Sequence, residues 1–315
     1  MNSSARRSGA ISPGILRLSH AEIRVPDLEL AVAYYAEVVG LVVSDTEPGR
    51  VYLKGWDEHQ HHSIVLTEAA TYGLNTLGFK VTERSELERL AAKIEASGRA
   101  VERFEPGATF IGSGEVVAFD APSGHKIHLE CGQAQVGNGL SLINPPPAPA
   151  NLIGMHPPRL DHIFLLCEDV DGVTTFFQEV LEFRLTEQIM SDDGHQLTTF
   201  LERTHTPHDI AFLTGVDGGF HHIAFWVDEW NDLRQAADTC AYHGVEIDAG
   251  PTRHGATRGC GLYFFDPAGN RNEVYTGGYH FDPDDEPTTW TEAEMGRAIF
   301  TYKGQVDPAF MTVHS

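Results

Sequence analysis

His254, Tyr263 and Glu273 fall within twenty residues of one another in the stretch 250–275, GPTRHGATRGCGLYFFDPAGNRNEVY. The stretch opens on a Gly-Pro turn, runs through a polar loop into a β-rich segment at 261–265, turns at Asp266-Pro267-Ala268-Gly269 and enters a second strand carrying Glu273. A hairpin brings such groups together, and a carboxylate leaving a tight turn is suited to ligate a metal. Taken alone, a Glu near a turn is more often solvated, so the weight rests on what lies upstream.

The upstream elements repeat. Residues 17–41 (RLSHAEIRVPDLELAVAYYAEVVGL) and 159–183 (RLDHIFLLCEDVDGVTTFFQEVLEF) align without a gap at an offset of 142. Each reads as a strand, a turn and an amphipathic helix, and such self-similarity marks a duplication. The correspondence continues through 50–54 and 62–66 against 197–201 and 208–212, then 77–81 against 223–227. Helices are predicted over 85–97 and 230–243, the first with Ser85-Glu86-Leu87-Glu88 as a capping box. The pattern predicts an α+β chain of two domains, each of two βαβββ modules. Residues 1–14 read as a flexible arm, 15–143 as the first domain, 144–158 (with NPPPAPA) as a Pro-rich linker, 159–278 as the second domain and 279–315 as a polar tail. One helix is expected in the tail, over 291–300, lying on the second domain.

The two copies differ where chemistry would sit. The second offers His162, His222 and Glu273 at places where the first has His20, Thr76 and His128. The three residues fall on three predicted strands, and a curved sheet would point them at one centre. His221 adjoins His222, but alternation along a strand turns only one of the pair inward, and His222 is the one opposite Thr76 in the repeat. Two imidazoles and a carboxylate leave coordination positions open. That is the ligand set of non-haem Fe(II) oxygenases, and a His₂Glu set also serves catalytic zinc.

Composition narrows the partners. With 22 Lys+Arg against 45 Asp+Glu, the formal net charge is −23, which argues against nucleic acid and anionic membrane surfaces. No apolar run approaches the ~20 residues that span a bilayer. The 4 cysteines (Cys131, Cys167, Cys240, Cys260) show no CxxC spacing and read as thiols of a reducing cytoplasm; only Cys260 lies beside the candidate centre.

RLDH at 159–162, FHHIAFWV at 220–227, GPTRHG and GLYFFDPAGNRNEVY within 250–275, RVYLKGW at 50–56 and APSGH in the first half resemble the extradiol ring-cleaving dioxygenases of the vicinal oxygen chelate superfamily, and most closely the catechol 2,3-dioxygenases. The resemblance spans nearly the whole chain. It implies the glyoxalase/bleomycin resistance-like fold, a first domain without metal, and Fe(II), less readily Mn(II), held by His162, His222 and Glu273. It also implies that His208, His254 and Tyr263 contact substrate or oxygen, with His208 as acid/base, and that the chain forms a homotetramer. Catechol and O₂ would be the substrates, and a 2-hydroxymuconate semialdehyde the product. Extradiol enzymes for bicyclic catechols or homoprotocatechuate share the trio. Metal-dependent drug-binding proteins of the superfamily are usually shorter and lack the three surrounding residues. The residues themselves suggest a pocket wall from the 254–261 loop, with Thr257 and Cys260, and from Phe200–Leu201.

Overall fold

Strand-forming runs rich in β-branched and aromatic residues, punctuated by Gly and Pro turns, dictate a β-dominated chain whose helices are few. The structure, a computed structural model, describes residues 14–315, so the arm expected over 1–14 lies, but for Gly14, outside the described residues. The first half runs β1 (Ile15–Val25), α1 (Leu28–Ala33) with a following π-helical turn (Tyr34–Val39), β2 (Val42–Glu47), β3 (Arg50–Lys54), β4 (Ile64–Glu68), β5 (Gly73–Val81), α2 (Arg84–Ala96), β6 (Glu102–Phe104), β7 (Glu115–Asp120) and β8 (Lys126–Cys131). The second runs β9 (Arg159–Cys167), α3 (Val170–Glu179), β10 (Arg184–Met190), β11 (Gln196–Glu202), β12 (Ile210–Thr214), β13 (Phe220–Trp226), α4 (Trp230–His243), β14 (Ile247–Arg253), β15 (Gly259–Phe265) and β16 (Arg271–Gly277). β17 (Thr288–Thr291), α5 (Met295–Ile299) and α6 (Pro308–Thr312) follow. Each half is thus strand, helix and three strands, twice over, which is the α+β architecture expected.

The sheets repeat each other strand for strand. The first has the order β2-β3-β4-β1-β5-β8-β7-β6. The second has β10-β11-β12-β9-β13-β16-β15-β14, with β17 added beside β10. Register is duplicated too. His20 pairs with Gly78 and Gly78 with His128, while His162 pairs with Ala224 and Ala224 with Glu273. The inner faces of these sheets enclose two equivalent centres.

The outer faces carry the helices, and the halves share that core. Phe79 meets Phe183 with ring centroids 5.1 Å apart, and Phe119 meets Phe176 at 6.0 Å. The buried Tyr35 hydroxyl, from the turn after α1, lies 3.2 Å from Asp266 and from Asn272 in the other half. A hydroxyl buried without such partners would cost about 1–3 kcal/mol, so these bonds fix how the halves meet.

One local expectation is corrected. α2 begins at Arg84 after the extended Glu83, so Ser85 lies inside the helix and its hydroxyl donates to Glu83 at 2.6 Å instead of capping. The capping box occurs at α4, between Glu229 and Asp232. In the tail, the helix expected over 291–300 is present as a 3₁₀ turn (Glu292–Glu294) running straight into α5, and only its first residue, Thr291, belongs to β17. Thr288-Thr289-Trp290-Thr291 is β-branched and aromatic, and it pairs in parallel with the edge strand β10.

Candidate metal centre

The register of β9, β13 and β16 brings His162, His222 and Glu273 together. His162 and Glu273 flank Ala224, and His222 lies two residues before Ala224, hence on the same face. Glu273 Oε2 is 3.2 Å from His162 Nε2 and 3.1 Å from His222 Nε2. One ligating atom from each residue lies within 4.8 Å of the others, and among the described residues no other such trio forms. All three are buried. His222 Nε2 has no hydrogen bond of acceptable geometry despite its closeness to the carboxylate, and neither has Glu273 Oε1. Buried polar atoms are rarely left so; two orphans within one close trio fit a cation.

A missing side chain completes the cradle. A Cβ on Gly261 would stand 2.0 Å from Glu273 Oε1 and 3.2 Å from His254 Nε2. The residue is glycine because its side-chain space belongs to the carboxylate. Gly261→Ala is expected to push the carboxylate aside, lowering metal bound per chain at least tenfold while far-UV circular dichroism stays native; metal analysis after gel filtration is the check.

His208, His254 and Tyr263 line the same cavity as the trio. The His208 ring is centred 4.0 Å from that of His162, with Nδ1 unpartnered. Tyr263 is the register partner of Glu273 and lies 3.2 Å from His254 Nε2 through its hydroxyl. His254 Nε2 is 3.6 Å from Glu273 Oε1.

The electrostatics follow from crowding in a dry site. Burial raises the Glu273 pKa, but the imidazoles of His162, His222 and His254 gathered around it outweigh that and hold the carboxyl well below its usual range. Burial opposes protonation of His162, yet bonds to Asp161 and Glu273 bring it up to about 9. Burial, with His162 beside it, depresses His222 to about 4. Burial, then the neighbouring His162, pushes His208 well below the imidazole range, so it stands as a neutral base. Burial, then Glu273, drives the Tyr263 hydroxyl well above 10.

The wall of the cavity is apolar. Phe200 and Thr257 line it, as expected, but Leu201 and Cys260 do not. Alternation explains both: Leu201 follows the inward Phe200, and Cys260 precedes the inward Gly261. Phe164, stacked on His222 at 14° between ring planes, was not anticipated; its place two residues after His162 was the signal. Nor were Ala298, Ile299, Phe310 and Met311 of the tail, which close the cavity. Their signal was two apolar clusters in a polar segment.

In the first half the equivalent centre is filled. Phe110 stands among His20, His62 and His128, with centroid distances of 5.3, 5.7 and 5.9 Å. His20 Nδ1 pairs with Glu130 at 3.4 Å.

Duplicated βαβββ sheets around a two-histidine, one-glutamate trio define a metal-centred vicinal oxygen chelate protein. Comparison with known proteins agrees. Residues 159–274 match the Glyoxalase/Bleomycin resistance protein/Dioxygenase superfamily, and residues 74–131 match the Catechol 2,3-dioxygenase-like N-terminal domain. The chain is 41% identical over 303 residues to a metapyrocatechase of Pseudomonas sp. (strain CF600), covering 95% of this chain and 98% of the relative. It is 28% identical to a manganese-dependent 2,3-dihydroxybiphenyl 1,2-dioxygenase of Geobacillus genomosp. 3, over 93% of this chain and 96% of that one. The crystal structure of the 2,3-dioxygenase LapB from Pseudomonas sp. KL28 superposes with a TM-score of 0.86 at 41% identity, over 89% of this chain and 99% of that one. The chain belongs to the extradiol dioxygenases of this superfamily, within the catechol 2,3-dioxygenase (metapyrocatechase) group.

Proposed function

We propose that this protein is an iron(II)-dependent catechol 2,3-dioxygenase that opens catechol or alkylcatechols with O₂, beside the hydroxyl pair, to 2-hydroxymuconate semialdehydes. The observation that carries the reading is the buried trio with its two unpartnered ligating atoms, set in an apolar cavity beside three further polar side chains. His162, His222 and Glu273 would hold the metal. When bound, it supplies a Lewis acid and a common point of attachment for a diol and dioxygen.

The protein's own groups do the rest. His208, neutral and buried, takes the proton of a substrate hydroxyl and later returns it to an oxygen. His254 Nε2 and the Tyr263 hydroxyl, already 3.2 Å apart, hydrogen-bond the substrate oxygens. Phe164, Phe200 and Phe310 accept the ring and exclude water. Manganese is the alternative ion, since one relative is named as manganese-dependent. A homotetramer working in the cytoplasm completes the reading; among the described residues no helix is long and apolar enough to cross a membrane.

The test is direct. Purified protein given Fe(II), catechol and air should turn yellow as semialdehyde accumulates, and the Mn(II)-loaded protein should be the poorer catalyst. A colourless mixture with catechol unconsumed would overturn the reading in favour of ligand binding alone.

A further inference from the structure

We infer that the C-terminal segment, residues 295–315, is a positioning element of the metal centre, because two of its main-chain carbonyls dictate which ring nitrogen His254 and His222 turn toward the cavity. The inference rests on the reading of His222 as a metal ligand. A neutral imidazole carries one N–H, and only its bare nitrogen can ligate a metal or accept a hydrogen bond. Whatever fixes the proton on one side therefore frees the other.

For His254 the fixing group is the Ile299 carbonyl, 2.5 Å from Nδ1. A carbonyl only accepts, so the proton sits on Nδ1 and Nε2 is bare toward the cavity.

For His222 the link is one residue longer. Its Nδ1 lies 2.6 Å from Nδ1 of His221. One of the two must donate, and the far side of His221 decides which. His221 Nε2 is 2.7 Å from the Phe310 carbonyl and 2.9 Å from Arg271 Nη1. The carbonyl demands a proton there, and the guanidinium demands a lone pair. The carbonyl contact is the shorter. Arg271 has other acceptors: Asp248 at 2.9 Å from Nε and the Val313 carbonyl at 3.0 Å from Nη1. His221 thus carries its proton on Nε2, accepts at Nδ1 from His222, and leaves His222 Nε2 bare, 3.1 Å from Glu273. The opposite arrangement would put the proton on the nitrogen needed for the metal.

The segment is anchored well enough to set these positions. Phe220 and Ser315 exchange two backbone hydrogen bonds, 2.8 and 3.0 Å, and Gly255 and Ala256 both donate to the Ala298 carbonyl at 2.9 Å. Partners that orient a ligating histidine typically change metal affinity ~10–100-fold when removed.

The experiment is a Mn(II) titration followed by the paramagnetic resonance signal of free Mn(II), on wild type, His221→Phe, His221→Asn and a chain ending at Asp307. Phe keeps the bulk and removes the acceptor; Asn restores an acceptor oxygen near the Nδ1 position. The expected result is a Kd raised ~10–100-fold in H221F and in the truncated chain, and within about threefold of wild type in H221N. Unchanged affinity in a folded H221F, or H221N no tighter than H221F, would overturn the inference alone. Wild type that binds no ion would overturn the metal centre and this inference with it. If H221F does not fold, ¹⁵N imidazole spectra of the Zn(II)-loaded wild type decide: N–H on His221 Nε2 and His222 Nδ1 upholds the inference, and the reverse pair overturns it.

Discussion

Glu273→Gln should leave the chain folded, empty its centre of metal, and lower kcat by more than about 10³-fold, because the metal supplies several kcal/mol of catalysis and each 1.36 kcal/mol is tenfold in rate. The replacement is isosteric, so packing around a residue only 1% exposed is nearly unchanged. What goes is the one negative charge that two imidazole nitrogens face at 3.1–3.2 Å. Two neutral histidines would remain, too few donors to retain a divalent ion through gel filtration. Metal per chain and single-turnover rates are the measurements. A Gln variant that elutes with a full complement of metal would show that Glu273 is no ligand, and the reading of the centre would fail with it.

His208→Phe should do the reverse: metal content intact, turnover slowed by ~10²–10⁴, the range a positioned acid/base contributes. Phe preserves the ring that lies 4.0 Å from that of His162, tilted by 46°, and meets Phe200 edge-on at 5.3 Å, so loss of packing does not confound the result. The pH profile sharpens it. Burial, then the neighbouring His162, depresses the pKa of His208 below the ordinary 6.5, so the working neutral form persists as pH falls through neutrality. In protein whose metal content is verified at each pH, the acid limb of kcat should lie below 6.5 in wild type and vanish in the Phe variant. An iron-replete variant with undiminished turnover would reject the role.

Much of the centre was legible because it follows from period-two geometry and duplication. Comparing His162, His222 and Glu273 with His20, Thr76 and His128 needed only one chain, and the pairing of His20 and His128 with Gly78 repeats that of His162 and Glu273 with Ala224. The choice of His222 over His221 followed from alternation, though His221 turned out to be more than a bystander. The tail was illegible for the complementary reason. No repeat unit answers it, and its helices are too short to show a period. Its contacts are main-chain carbonyls, which no side-chain pattern announces. The cap of α2 lies two residues before the expected Ser85, since Glu83 and Ser85 are both polar and only the extended backbone at Glu83 separates them.

Phe110 gives the duplication an economy of its own. One lobe of this molecule is stoppered by its own benzene ring, so its interior is filled from within the chain. The other lobe, built on the same plan, is left with a socket to be furnished later. Before its metal arrives, the protein would therefore wait as a half-completed pair, one partner already solid and holding the shape into which the other is to be fitted.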